Sequence, residues 1–200
     1  MHSEEPDVKI RLLQAAKKLF AKQGYDGTSV RQICDEAGAN VALVSYYFGG
    51  KENVFLALFE NFFPIGQIEE LAKKPSDPVQ GVKDIIRGVT EFRMLEPYMV
   101  QLLQQEILFN TPRIDVLRKM SFPLWKHLRE MLQQGREQGL FRFRSLNNTL
   151  MTVLGVIMFH KQTEYFAPIL EPEVMDIEAL IADMNDFVLS GLHYKLDKNG

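Results

Sequence analysis

A single cysteine, Cys34, in 200 residues excludes an internal disulfide framework and any zinc site built on several thiolates. It suits a reducing compartment. No apolar run reaches the roughly 18–20 residues that a membrane span needs. The opening MHSEEPDVK has no hydrophobic stretch of the secretory-signal kind, so a cytoplasmic, nucleoid-associated location is the expectation. Phosphate loop, nucleophile elbow, HExxH and dinucleotide fingerprint are all missing, so no catalytic residue, no cofactor and no enzyme activity is expected. An excess of basic charge is missing too. The net charge is −3, and the chain as a whole is not a basic nucleic-acid binder.

The charge is unevenly spread. Residues 8–53 carry seven basic side chains (Lys9, Arg11, Lys17, Lys18, Lys22, Arg31, Lys51) against four acidic ones, an excess of +3, whereas residues 54–200 come to −3. A mildly basic segment joined to a mildly acidic remainder marks the first as the polyanion-facing part.

Apolar spacing predicts helices almost throughout. Asp7 caps a run in which Ile10, Leu13, Ala16, Leu19 and Phe20 share a face, and Gly24 stops it. Thr28 or Ser29 caps a short helix with Val30, Ile33 and Ala37 inward. Gly38 ends that helix, and Asn40 caps another from Val41 to about Phe48. Gly49-Gly50 precedes a longer helix from Lys51 toward Leu71. A polar linker at 73–78 follows, then helices over 79–95, 97–110, 114–138, 147–166 and 173–196, with Pro123 kinking or splitting the third of these. No strand-like alternation competes. The expected class is all-α, with about nine helices.

Two short helices joined by Ala37-Gly38-Ala39-Asn40 form a helix-turn-helix, whose second helix is the one that enters a DNA major groove. At 100° per residue, Val44, Phe48 and part of Leu43 face the core, and Val41, Ala42, Ser45 and Tyr46 face away. Val41 and Ala42 suit thymine methyls, Ser45 a base edge, and Tyr46 a stack or a methyl. Arg31 on the preceding helix is the candidate for guanine. Thr28, Ser29, Asn40, Tyr47 and Lys51 complete the DNA-facing set, several of them placed for phosphates.

Residues 8–53, through Phe20, Gly24-Tyr25, Thr28-Ser29-Val30-Arg31-Gln32-Ile33, Ala37-Gly38 and Tyr46-Tyr47-Phe48-Gly49-Gly50-Lys51-Glu52, resemble the N-terminal domain of the TetR family of bacterial repressors. The resemblance implies a DNA-binding domain over 1–53 and a helical effector-binding and dimerisation domain over 54–200. It also implies a homodimer paired through the last two helices, a near-palindromic double-stranded operator, and release by a small apolar or amphipathic effector. Cys34 stands where the family usually has alanine. A small buried residue is the plain reading of it, and a thiol switch is the other. A chromosome-organising protein, or a helical module whose DNA surface has decayed, remain alternative readings.

Twelve of fourteen Phe and eight of nine Met lie beyond residue 53, which fits either a helical core or an adaptable apolar pocket. Phe92, Met99, Leu103, Phe109, Trp125, Met151 and Phe159, near the middles of their predicted helices, are the effector-site candidates. Leu150, Val153, Leu154, Ile157 and Met158, and then Ile177 to Leu192, make two apolar stripes suited to dimer packing. His160 and Glu164, with His127, have the spacing of scattered ordinary side chains more than of a metal centre, and no metal is expected.

Overall fold

The computed structural model describes residues 7–73, 77–159, 163–171 and 176–194. Every element in it is helical: α1 (Val8–Gln23), α2 (Val30–Ala37), α3 (Val41–Phe48), α4 (Lys51–Phe62), α5 (Ile65–Lys73), α6 (Pro78–Leu95), α7 (Pro97–Phe109), α8 (Ile114–Glu137), α9 (Leu146–Phe159), α10 (Thr163–Phe166), a 3₁₀ turn (Ala167–Ile169) and α11 (Ile177–Gly191). The chain forms two compact units, residues 1–65 with 96–118, and residues 66–95 with 119–200. The segment 1–53 lies within the first, which also takes in α4 and α7. No helix among the described residues is long and apolar enough to cross a membrane.

In the first unit α1 packs on α2, α4 and α7, and α3 packs on α2 and α4. Leu12, Leu13, Ala16 and Phe20, the apolar face of α1, are fully buried. Asp7 accepts the Lys9 amide at its N-terminus, and Gly24, at φ 79°, takes the last turn out of the helix. The rings of Phe20, Tyr25 and Phe55 meet at 5.3–6.1 Å, locking the turn after α1 onto α4. α7 is tied to α1 by Lys17 to Glu96 at 2.6 Å and by Gln105 Nε2 to the Ala21 carbonyl at 2.8 Å.

Between Thr28 and Ser29 the structure selects Ser29 as the cap of α2. Its hydroxyl accepts the Gln32 amide and the Gln32 side chain accepts the Ser29 amide, a reciprocal box that satisfies two otherwise orphaned donors. The expected single helix from Lys51 toward Leu71 is two. Phe63 adopts an extended conformation (φ −92°, ψ 136°) ahead of Pro64, because the proline ring disfavours the helical region for the residue before it. Pro123, by contrast, splits nothing: α8 runs through it as one element.

In the second unit α6 packs on α11 and α9, and α9 on α11. Val82, Ile85, Ile86, Leu128, Leu132, Ile157 and Leu189 are fully buried there. Arg87 on α6 makes a forked pair with Glu178 on α11, both bonds 2.8 Å. The Arg142 amide bonds the Leu192 carbonyl, pinning the turn after α8 to the end of α11. α9 is described from Leu146 to Phe159, whereas α11 runs from Ile177, capped by Asp176, to Gly191 and is shorter than the expected 173–196. Most of the 73–78 linker, and residues 160–162 and 172–175, lie outside the described residues.

Candidate nucleic-acid interface

The turn between α2 and α3 depends on Gly38, which sits in the left-handed region (φ 61°, ψ 41°) where a side chain is strained. Asn40 then caps α3, its Oδ1 accepting the Ala42 amide at 2.8 Å, and Gly49, again left-handed, closes it. Only Val44 and Phe48 of α3 are buried, and Leu43 is half-buried. Val41, Ala42, Ser45, Tyr46 and Tyr47 are exposed, Tyr46 by 79%. The face expected to be outward is therefore outward. The Tyr46 and Tyr47 rings meet edge to face at 5.0 Å, so each limits the other's freedom.

Arg31 and Ser29 are exposed at the start of α2. Thr28 is not: it is 1% exposed, its hydroxyl donates to the Gly24 carbonyl at 2.8 Å and accepts from Gln23 Nε2. Lys51 is half-buried over the Tyr25 ring, 4.2 Å from its centroid, and donates to the carbonyls of Tyr25 and Thr28 at 3.0 and 2.9 Å. Two of its three donors thus bind the turn that seats α2. Asn40 likewise spends its carbonyl oxygen on the cap. Of the seven basic residues of the segment, Lys17 and Lys18 are also engaged, with Glu96 and with Glu36 at 2.5 Å. Lys9, Lys22 and Arg31 are exposed.

Sequence reading missed a polar cluster beneath this surface. Glu106, 3% exposed, receives Arg113 Nε and Nη2 at 3.0 and 3.1 Å and the Thr111 hydroxyl. The Arg113 guanidinium stacks 3.9 Å from the Tyr25 centroid and 5.3 Å from that of Phe55. Burial, more than the opposing pull of Arg113, holds the Tyr25 hydroxyl above its ordinary pKa. Cys34 is fully buried, and burial pushes its thiol upward, with Asp35 adding to it.

The seven effector-site candidates divide between the two units. Met99, Leu103 and Phe109 belong to the first unit, where Met99 is fully buried core. Phe92, Trp125, Met151 and Phe159 belong to the second. Phe92 and Trp125 are half-buried, whereas Met151 and Phe159, like Phe109 in the first unit, are exposed by 60% or more. Phe109 is the last residue of α7 and Phe159 the last described residue of α9, so neither is near the middle of its helix, while Met151 lies on the outward face of α9. An open groove of about 680 Å³ lies between α9 and α11, lined by both polar residues (Arg144, Asn148, Thr152) and apolar ones (Val153, Val156, Phe187). None of the seven lines it. His127 is buried at 4% exposure, while His160 and the Glu164 side chain lie outside the described residues. Among the described residues no three potential ligands gather around a metal position.

Comparison with known proteins supplies the class. Residues 12–58 match the family of bacterial regulatory proteins of the tetR type, and residues 78–190 match the tetracyclin repressor-like C-terminal domain. With more than half of the chain covered by the second match alone, this protein belongs to the TetR family of bacterial regulatory proteins. The transcriptional repressor NicS of Pseudomonas putida is 30% identical over 136 residues, 66% of this chain and 64% of that one. The crystal structure of HlyIIR, a hemolysin II transcriptional regulator, superposes with a TM-score of 0.74 at 27% identity, covering 94% of this chain and 98% of that one. The ketosteroid regulator KstR2 of Mycobacterium tuberculosis shares the fold, with a TM-score of 0.78 at 20% identity over 96% of this chain and 98% of that one.

Proposed function

We propose that this protein is a cytoplasmic, homodimeric, sequence-specific DNA-binding regulator, a repressor that a small apolar or amphipathic effector releases from its operator. The observation that carries the DNA-binding part is the outer face of α3. Val41, Ala42, Ser45 and Tyr46 are exposed on a capped helix whose other side is anchored by Val44 and Phe48, with Arg31 exposed on the helix before it. In this reading Arg31 reads a guanine, Val41 and Ala42 meet thymine methyls, and Ser29 and Tyr47 bind phosphates. The names of relatives such as NicS support repression.

The functional division follows the same reading: 1–53 binds DNA, and 54–200 senses and dimerises. Met151 and Phe187, exposed by 66% and 67% on α9 and α11, support pairing through those helices, since exposed side chains of that size gain by being covered. A dimer sets its two recognition helices for successive major grooves about 34–36 Å apart. An effector that prefers a differently spaced conformer lowers DNA affinity by linkage.

Selection of bound fragments from random and genomic DNA at physiological salt tests the proposal. A near-palindrome beside one or a few promoters is expected. Many dispersed sites point instead to a chromosome organiser, and no enrichment by a folded dimer refutes DNA readout. On the selected site, Arg31→Ala lowers the ratio of specific to random affinity by about 10- to 100-fold, whereas Tyr47→Phe weakens both alike. Equal losses for both variants on both DNAs refute that division of labour.

A further inference from the structure

Among the described residues, the interior of the second unit holds a positive charge with no counter-charge beside it. Arg93 lies on α6, one turn beyond Thr90, and is only 7% exposed. One of its terminal nitrogens donates to the Ile157 carbonyl, in the last turn of α9. Its Nε is buried and has no hydrogen-bond partner. Among the described residues no carboxylate lies within ion-pairing distance of it; on the same helix, Glu91 pairs with Arg87, as does Glu178 from α11. Burial alone acts on its ionisation, and acts downward.

A guanidinium presents five donors. The Ile157 carbonyl uses one and supplies only the fractional negative charge of a neutral dipole. Desolvating the whole ion without an anion is costly, which is why buried arginines are ordinarily paired. Orphaned polar atoms recur in this unit: His127 Nε2 on α8 and Asn185 Oδ1 on α11 are also buried without partners. Thr90, fully buried, donates to the Met184 sulfur at 3.5 Å. Buried polar atoms are ordinarily hydrogen-bonded, so the Nε edge of Arg93 is a donor still open to a further acceptor.

We infer that Arg93 is the anchor for the anionic head of the ligand of this unit, and that the ligand is an organic carboxylate with an apolar body. The class follows from the donor geometry and the charge. A guanidinium edge that includes Nε matches the two oxygens of a carboxylate. A single buried cation balances a monoanion and leaves a phosphate dianion half compensated. The inference rests on the proposed effector-binding role of this unit and sharpens it from amphipathic in general to carboxylate.

The test uses the full chain without DNA. Calorimetry and thermal shift compare benzoate, 4-phenylbutyrate, octanoate and dodecanoate with the matching primary amides, and with phenyl phosphate. At least one carboxylate is expected to bind more tightly than its amide by on the order of 10- to 100-fold, a preference that Arg93→Met abolishes. Arg93→Met, free of the unpaired charge, is expected to be folded without ligand and no less stable than the wild type. Should it fail to fold, Arg93→Lys supplies the readout, because an ammonium keeps the charge and loses the fork, and the preference must shrink. Amides binding as well as their acids, a preference surviving in the variants, a stronger response to phenyl phosphate, or no binding by any carboxylate overturns the inference. Carboxylate binding that leaves DNA affinity unchanged refutes the effector reading and spares the site, whereas release of DNA by the amides alone does the reverse.

Discussion

Arg113→Met is the substitution whose effect the structure sets most tightly. The side chain of Arg113 is 14% exposed and that of Glu106 3%, and two parallel N–H···O bonds of 3.0 and 3.1 Å join them. Methionine fills much of the same volume but leaves the Glu106 carboxylate buried with the Thr111 hydroxyl as its remaining partner. Removing one member of a buried pair costs about 3–5 kcal/mol, and the stacking on Tyr25 at 3.9 Å goes with it. For a chain of this size each kcal/mol shifts the midpoint by about 2–4 °C, so the expected fall in Tm is about 6–20 °C. Glu106→Leu combined with Arg113→Met removes both charges and should recover about 2 kcal/mol or more of the loss. Thermal and urea unfolding followed by circular dichroism read both variants. A single mutant within about 1 kcal/mol of wild type, or two losses that simply add, would refute the reasoning.

Two further outcomes follow from burial. A Cβ on Gly135, in the last turns of α8, would run into the ring of the buried Phe141. Gly135→Ala is therefore expected to destabilise by about 1–3 kcal/mol rather than give the gain of about 1 kcal/mol usual for this exchange in a helix; a raised Tm in the same unfolding assay overturns this. Cys34 should resist a disulfide reagent at pH 8 in the folded protein and react fully on unfolding, and rapid labelling of the native chain would reopen the thiol switch. Its raised pKa fixes the sign of the linkage: the contribution is intact below the ordinary value of 9.0 and is lost as pH rises beyond it, so unfolding curves above pH 9 should show stability falling faster than in Cys34→Ala.

Much of the first unit was legible because its signals are local. Gly38, Asn40 and Gly49 each act within a few residues, and each is where the spacing placed it, while Ser29 is one of the two caps it offered for α2. The choice of Ser29 over Thr28 was itself readable from Gln32 three residues on. Pro64 was readable too, yet the apolar run on both sides of it masked the break. What escaped is what depends on distance along the chain. Arg113 and Glu106 meet across the turn after α7, and Arg113 stacks on a ring at residue 25. Arg93 is buried against a carbonyl 64 positions away. Nothing in the local pattern separates such an arginine from one on a solvated face, because the periodicity of α6 counts only its apolar neighbours.

The composition of α3 follows from how little of it the fold requires. Eight residues make too short a helix to persist alone. Here Asn40, the left-handed Gly49 and two buried side chains, Val44 and Phe48, hold it in place. Its outer residues carry no part of that load, so Val41, Ala42, Ser45, Tyr46 and Tyr47 are open to selection for recognition alone. That they are small or aromatic rather than basic fits the rest of the surface, where Lys17, Lys18 and Lys51 are engaged within the unit. On the proposed reading, such a helix gains discrimination through methyl contacts, through the fit of its groove and through Arg31 on the helix before it. The same economy explains why the net charge gave so little sign of the DNA-facing role that the exposed face supports.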